Sequence, residues 1–325
     1  MRGKYLSLTS AALLVLIWIS LNVGASKVAS PLKALFGSGS IGDIAIIQEI
    51  RAPRILAAIL VGTTLGIAGA LSQGALRNPL AEPALLGTSG GAAFATLLGI
   101  LFFNVTIGSV AAIALGIIGA FIATQVTFQL GKSGRDGFSF IVIGIAVSAV
   151  LIALVGITTV MINKPEARGV PFWSLGTLSM STKSQVFLLI PILLPIWVIS
   201  IIFAEKLDYL ALGDIRAKHL GENSKRIRFI AFTLIAIMVG AVTSIFGQIS
   251  FLALAIPHIV RSIIGPMHKL LVIHGAVLGA FLLLLADLIA RTLASPNELP
   301  IGLVTALLGA PVLIISVKSW VARHA

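Results

Sequence analysis

The sequence has no cysteine and very few charged residues. Only 10% of its 325 residues are Asp, Glu, Lys or Arg, against about 25% in a typical globular chain. A soluble protein could not cover its surface with so few charges, and hydrophobic residues make up 58% of this chain. The absence of cysteine excludes disulfides, thiolate metal sites and cysteine nucleophiles, and it leaves the redox compartment open. The composition therefore predicts a multispanning membrane protein.

Long apolar runs take the place of the missing charge. A helix needs about 20 apolar residues to cross the hydrocarbon, and the runs here are continuous rather than alternating, which favours helices over strands. We expect an all-α polytopic membrane protein with about ten transmembrane helices in a compact bundle. The predicted spans are residues 6–25, 54–73, 86–103, 107–130, 138–162, 185–204, 228–246, 248–265, 271–293 and 301–320.

The first span has a second interpretation. Arg2 and Lys4 form a basic start, and Val23-Gly24-Ala25 is similar to a cleavage site, so the segment also fits a signal peptide. Whether the first span is retained stays open at the level of sequence. The other nine predicted spans are the same in both cases.

Basic residues are divided unequally between the two sets of connections. Alternate connections carry fifteen of the 23 Lys and Arg residues, and the other set carries eight. The positive-inside rule then places both termini in the cytoplasm. No connection is long enough to hold a soluble domain, so residues 1–325 are expected to form a single transmembrane domain. The longest external connection, 26–53, contains IGDIAIIQEI, which could lie at the interface as an amphipathic helix.

Several other functions are excluded by residue patterns. The net charge of +12 lies in short tracts between apolar runs, not on one face, which argues against nucleic acid. Gly131-Lys132-Ser133 ends like a P-loop, but Val126 occupies the position of the required glycine, so the chain hydrolyses no ATP by itself. The five histidines have no metal-ligand spacing, and acids and histidines do not cluster as a membrane enzyme would need. Three GxxxG pairs predict close helix packing: Gly62–Gly66, Gly87–Gly91 and Gly275–Gly279.

One acid lies deep within a predicted span. Asp287 is costly to bury and is therefore a candidate functional residue. Arg291 lies four residues later on the same helix face, so we expect the two to form a structural ion pair. The alternative is a proton relay, which would make the chain an ion-coupled secondary transporter, although such transporters usually show more buried acids.

Charged residues concentrate in the segment 205–226, which is predicted to be cytoplasmic. Asp214 is a candidate N-cap and Gly221 a candidate stop for a short helix. Ile215 and Leu220 would form its apolar side. Such a helix is a surface that a soluble motor subunit could grip.

Six strings, taken in order, resemble the FecCD permease family. These permeases are the transmembrane subunits of bacterial ABC importers for ferric siderophores, haem and vitamin B12. The similarity covers residues from about 50 to 317, in order and with family-like spacing. The strings are RAPRILAAILVG at 51, GALRNPLAEPALLGTSGGA at 74, LGDIRAKHLG at 212, FLALAIPHIVRSIIG at 251, ADLIART at 286 and NELPIGLVTALLGAPV at 297.

This resemblance implies an organisation for the whole assembly. A permease of this family has ten transmembrane helices, lies in the bacterial inner membrane, and pairs with a second permease copy, which predicts a homodimer. It binds two cytoplasmic ATPase subunits and receives its cargo from an external binding protein. The chain is then a transport subunit and not an enzyme, with no cofactor of its own; ATP and Mg²⁺ belong to the partner ATPase.

The resemblance also implies roles for particular residues. The ATPase-coupling positions are Leu212, Gly213, Asp214, Ala217, Leu220 and Gly221. Arg51, Arg54 and Arg291 match positions that offer cations to the binding protein, as exposed guanidinium groups that recognise carboxylates. Asn78 and Leu80 match the cytoplasmic gate, and Asp136 and Gly137 are expected to move with it. His258 and Arg261 fit a family motif and are assigned to helix-end structure.

The cargo is only weakly indicated by the sequence. Span five, Phe140–Met161, is almost purely apolar, with Ser148, Thr158 and Thr159 as its few hydroxyls, so selectivity would lie with the binding protein. The external stretch Phe172–Gly176 is similar to haem and siderophore members. We therefore expect an iron chelate, either a ferric siderophore or haem, with cobalamin as the alternative.

Overall fold

A computed structural model describes residues 2–24, 26–131, 137–161, 173–295 and 297–311. Helices account for its regular structure, and within those ranges no strand occurs. The helices are α1 (Arg2–Asn22), α2 (Pro31–Leu35), α3 (Ile41–Ala45), α4 (Ala52–Leu76), α5 (Thr88–Phe103), α6 (Val110–Gly131), α7 (Gly137–Met161), α8 (Lys183–Ala211), α9 (Asp214–His219), α10 (Ser224–Phe246), α11 (Leu252–Ile264), α12 (His268–Thr292) and α13 (Ile301–Pro311).

Each predicted span corresponds to an apolar helix. Seven helical segments are long and apolar enough to cross a membrane: α1, α6, α7, α8, α10, α12 and the continuous segment that ends in α4. Three more apolar helices, α5, α11 and α13, are shorter, and α13 is described only to Pro311. The all-α polytopic fold is therefore confirmed.

Helix α4 is the centre of the bundle, and small residues allow its neighbours to approach closely. It packs against α8, α10, α11 and α12, and most of its residues are buried. A Cβ atom added at Gly66 would lie 2.1 Å from the carbonyl oxygen of Gly275, and one at Gly62 would lie 2.3 Å from that of Gly279. Two of the predicted GxxxG pairs thus meet each other across the α4–α12 contact.

The third GxxxG pair has a divided role. Gly91 packs on Gly119 of α6, where an added Cβ would lie 2.4 Å from a carbonyl oxygen. Gly87 instead precedes α5 with a φ of +79°, a conformation that favours glycine. A single spacing pattern therefore supplies one close helix contact and one turn.

The predicted interfacial helix is not separate from the bundle. IGDIAIIQEI forms α3 and a π-helical segment, Ile46–Arg51, which runs directly into α4 as one continuous helix. Ile47 is fully buried, whereas Ile41 and Ile50 are exposed. The wider π turn changes the register of the helix, so that Arg51 is also buried. The segment therefore forms a helix, as predicted, but this helix is continuous with α4 and is not a separate element. Its position at the interface stays a prediction.

The connection between α10 and α11 is tightly packed inside the fold. Gly247 has a φ of +73°, and an added Cβ there would lie 1.8 Å from the Trp173 carbonyl oxygen. Phe251, at the start of α11, also has a positive φ of 67°. Because left-handed backbone is costly for a non-glycine residue, the neighbouring contacts must hold this turn in place.

Candidate functional site

Helix α9 forms an apolar surface in the predicted coupling segment. Ile215 is 76% exposed and Leu220 is 57% exposed, and Leu212 just before the helix is also exposed. Ala217 faces inwards and is fully buried, where α9 packs on α8 and α10. Exposed large apolar side chains on a charged surface are typical of an interaction site.

The ends of α9 agree only in part with the sequence. Gly221 follows the helix with a φ of +81°, which confirms the predicted stop. The predicted N-cap is wrong: Gly213, with a φ of +97°, occupies the cap, and Asp214 is the first helical residue. Asp214 does not cap the helix because its carboxylate is held by a side chain of another helix.

That side chain is Arg228, in the second turn of α10. Its Nη2 donates to Oδ1 of Asp214 at 2.7 Å, and its Nη1 donates to Oδ2 at 3.2 Å. Desolvation would raise the pKa of Asp214, but the hydrogen bonds from Arg228 and the charges of Arg228 and Arg77 lower it below its ordinary value. Asp214 is therefore a carboxylate held by two donors of one guanidinium group.

Two of the predicted gate residues, Asn78 and Leu80, lie in an ordered loop between α4 and α5, which is called the gate loop here after its predicted role. Arg77 ends the helix with a φ of 51°, and the Oδ1 of Asn78 accepts a hydrogen bond from the backbone N–H of Leu80 at 2.8 Å. This Asx turn presents the Leu80 side chain, which is 38% exposed. Asp136 lies outside the described residues, and Gly137 is the first residue of α7.

Glu82 at the end of this loop was not anticipated from the sequence. It is 5% exposed, and its Oε1 accepts a hydrogen bond from the backbone N–H of Phe251. The carboxylate thus connects the gate loop to the left-handed turn before α11. The sequence signal was weak, because an acid between two apolar spans is usually assigned to a solvated connection.

The three arginines predicted to dock a binding protein are brought together, but they are buried. Arg51, Arg54 and Arg291 are only 4%, 6% and 8% exposed. The expectation that they are exposed is therefore wrong for this structure. Their docking role stays a prediction, and the structure assigns each guanidinium group partners inside the chain.

Two of these arginines bond to the end of α1. Arg51 donates to the carbonyl oxygens of Leu21 and Ser26. Arg291 donates to the carbonyl and hydroxyl oxygens of Ser20 at 2.8 and 2.9 Å. Cations at the C-terminal end of a helix satisfy free carbonyls and the helix dipole. The first span is thus bonded into the bundle, where it also packs on α12.

The third arginine, Arg54, is the main partner of the buried acid. Its Nε donates to Oδ1 of Asp287 at 2.8 Å, whereas the Nε of Arg291 lies 3.7 Å from Oδ2. The Nη1 of Arg54 also bonds to both carboxylate oxygens of Glu298, at 2.8 and 2.9 Å. The predicted pair of Asp287 and Arg291 is therefore a secondary contact in a larger cluster of three arginines and two acids.

The side chains used as hints for the cargo are engaged in packing. Trp173 is buried and its Nε1 donates to the Ile245 carbonyl at 2.9 Å, while Phe172 lies outside the described residues. On α7, the hydroxyl of Ser148 donates to the Ala84 carbonyl at 2.9 Å. Thr158 and Thr159 donate to carbonyls within their own helix. These hydroxyls already have partners within the chain.

Together, these features define a class of protein: a polytopic, all-helical membrane protein with a short accessory helix outside its spans. Comparison with known proteins then identifies its family. Residues 12–319 match the FecCD transport family, so the chain belongs to that family. It is a multi-pass membrane protein and a transport subunit.

The chain is similar to several characterised permeases. It is 37% identical to the hemin transport system permease protein HmuU of Yersinia pestis, over 81% of this chain and 80% of that protein. It is 34% identical to the iron(3+)-hydroxamate import system permease protein FhuG of Bacillus subtilis, over 95% of each. The vitamin B12 import system permease protein BtuC of Vibrio cholerae is 35% identical, over 83% of this chain and 81% of that protein.

A solved structure has the same architecture. An inward-facing structure of an ABC transporter, described as of the metal-chelate type, matches 98% of this chain and 99% of its own. The TM-score is 0.85 and the sequence identity is 28%. The order and packing of the helices are therefore similar to those of that transporter chain.

Proposed function

We propose that this chain is the permease subunit of an ATP-driven importer for an iron chelate in the bacterial inner membrane. Family membership and the exposed apolar residues of α9 carry the proposal. A second copy of the chain forms the other half of the pathway, with both termini in the cytoplasm. Two ATPase subunits bind the segment 205–226 and supply ATP and Mg²⁺, and an external protein delivers cargo.

The nature of the cargo follows from the relatives. Permeases named for hemin and for ferric hydroxamate match the chain at 37% and 34% identity. The hydroxyls of α7 are bonded within the chain, so its part of the pathway offers a cargo few specific partners. Cobalamin is the second candidate, since a vitamin B12 permease is 35% identical.

Reconstitution tests the proposal. Vesicles that contain the chain, its ATPase and its binding protein should accumulate ferric hydroxamate, ferric citrate or haem only when ATP is inside. Cobalamin accumulation in place of all three would replace the iron-chelate assignment. Uphill accumulation by the chain alone, driven by a proton gradient, would contradict the ABC mechanism and favour the ion-coupled alternative.

Binding of the ATPase should depend on the apolar surface of α9. Replacing Leu220 with Glu puts a charge where an apolar contact is proposed, so less ATPase should copurify with a tagged chain, by about tenfold for a lost anchor residue. Met180→Glu is the matched control, because Met180 is 75% exposed on the connection before α8, at the opposite end of the bundle. Equal copurification from both variants would remove α9 from the ATPase interface.

Docking through the buried arginines requires that Glu298 release Arg54. The Glu298 side chain is 35% exposed and bonds to the Arg54 side chain, which is 7% exposed. It would compete with the carboxylates of a docking partner, because both need the same donors. Glu298→Gln should therefore strengthen association with the binding protein, by about threefold to tenfold for a removed charge competitor.

Surface plasmon resonance on the chain in nanodiscs measures this change. Glu49→Gln is the matched control, because Glu49 is an exposed acid paired with Lys183 beyond the cluster. If the Glu298→Gln chain binds the binding protein more weakly or not at all, Glu298 supports the docking surface and does not compete for it.

A further inference from the structure

A single side chain joins the proposed coupling helix to the helix that leads into the gate loop. Arg228 bonds to both carboxylate oxygens of Asp214, the first residue of α9. Its third guanidinium nitrogen, Nε, donates to the carbonyl oxygen of Ala75 at 3.1 Å. The Arg228 side chain is 12% exposed and that of Asp214 is 46% exposed, so the ion pair lies at the surface, whereas the bond to Ala75 is partly buried.

Ala75 lies where a movement of Arg228 would reach the loop after α4. It lies in the last turn of α4, and the loop with Asn78 and Leu80 begins two residues later. The carbonyl of the preceding residue, Gly74, instead accepts a hydrogen bond from the backbone N–H of Arg77. Arg228 thus satisfies a free carbonyl at the negative end of α4, at the point where the helix becomes the gate loop.

The guanidinium group suits this connection for geometric reasons. Its planar fork holds a carboxylate with two parallel donors and leaves Nε free for a third partner. Lysine carries the same charge but offers no rigid fork. A shift of Asp214 is therefore expected to move the guanidinium group as a unit and with it the end of α4.

We infer that Arg228 is a positioning residue that transmits movement of α9 to the gate loop. The inference rests on the proposed function, in which an ATPase moves α9 and the loop with Leu80 opens and closes. Arg228 itself contacts neither cargo nor nucleotide in this scheme; it acts through Asp214 and Ala75.

A single reporter thiol can test the inference without knowledge of the cargo. The chain has no native cysteine, so Leu80→Cys introduces one reactive site in the gate loop. The measurement is the rate at which maleimide alkylates this thiol in the assembled complex, with and without trapped ATP. The complex contains the full chain and its ATPase, and ATP hydrolysis is measured in parallel.

In the Leu80→Cys background, the alkylation rate should change about tenfold between the two nucleotide states, within the range typical of coupling between sites. Adding Arg228→Gln should reduce this change to about twofold or less, while ATPase binding and ATP hydrolysis are retained. Arg228→Lys keeps the charge but loses the planar fork, so it should reduce the nucleotide-dependent change in alkylation rate to the same extent. It replaces Arg228→Gln in the experiment if the Gln chain folds poorly. Lys183→Gln is the control, since Lys183 pairs with Glu49 in an exposed contact outside the segment 205–226.

Three outcomes would overturn the inference. An unchanged nucleotide response in both Arg228 variants would show that movement reaches the gate by another route. Loss of ATPase binding from folded Arg228 variants would show that Arg228 builds the docking surface and does not transmit its movement. No response in the Leu80→Cys background would remove the proposed gate itself, and this failure is distinguishable because it precedes any Arg228 change.

Discussion

Replacing Asp287 with Ala should destabilise the folded chain by about 3–5 kcal/mol, the cost of removing one partner from a buried ion pair. Asp287 is fully buried and accepts the hydrogen bond of Arg54 at 2.8 Å. Without it, the guanidinium groups of Arg54 and Arg291 remain close together, and Glu298 is the nearest remaining acid of the cluster. Uncompensated charge inside a membrane protein is costly.

Thermal unfolding in detergent measures the effect, and Glu49→Ala is its control. Glu49 pairs with Lys183 at 2.6 Å, but both side chains are exposed, so little stability should be lost there. Asp287→Asn separates the two interpretations of this acid. If the Asn chain is as stable as the parent but no longer transports, Asp287 acts as a proton relay and the structural interpretation is wrong.

Replacing Gly66 with Val should disrupt the centre of the bundle. Overpacking typically lowers folding stability by about 1–3 kcal/mol, and we expect a loss at or above the upper end of that range. Even a single added Cβ would lie 2.1 Å from the backbone carbonyl oxygen of Gly275. A backbone atom cannot rotate away as a side chain can. Helices α4 and α12 would have to separate, and the contacts along both would be lost.

Gly156→Val is the matched control, because an added Cβ there meets nothing within 4 Å, although Gly156 also lies in a spanning helix, α7. Chain yield and thermal stability in detergent compare the two variants. If Gly66→Val were as stable as Gly156→Val, the close approach of α4 and α12 would be incorrect.

Elements defined by local composition were predictable. A spanning helix needs only a continuous apolar run, so all ten predicted spans have a helical counterpart. The stop of α9 at Gly221 was equally local, because a left-handed residue after a helix favours glycine. Predictions failed where a side chain bonds to a residue of another helix. Asp214 was predicted to cap its own helix, but its carboxylate accepts hydrogen bonds from Arg228.

The cluster of Arg51, Arg54, Arg291, Asp287 and Glu298 also shows that local sequence rules do not identify distant partners. Arg291 was a reasonable partner for Asp287, because four residues on a helix place side chains on one face. Arg54, the actual main partner, lies 233 positions away in the sequence. Family resemblance grouped Arg51, Arg54 and Arg291 by a shared role, yet resemblance carries no information on burial.

By itself, the sequence determined that the chain is a helical membrane protein with many spans, because the hydrophobic effect and backbone hydrogen bonding act on every apolar run alike. Its motif strings, and not its composition, indicated the FecCD family. Only the tertiary structure decided which charged groups meet: Arg54 with Asp287 and Glu298, and Arg228 with Asp214 and Ala75. The physical reason is that a charge in a poorly hydrated interior must find a partner, and the packing of helices distant in sequence selects that partner.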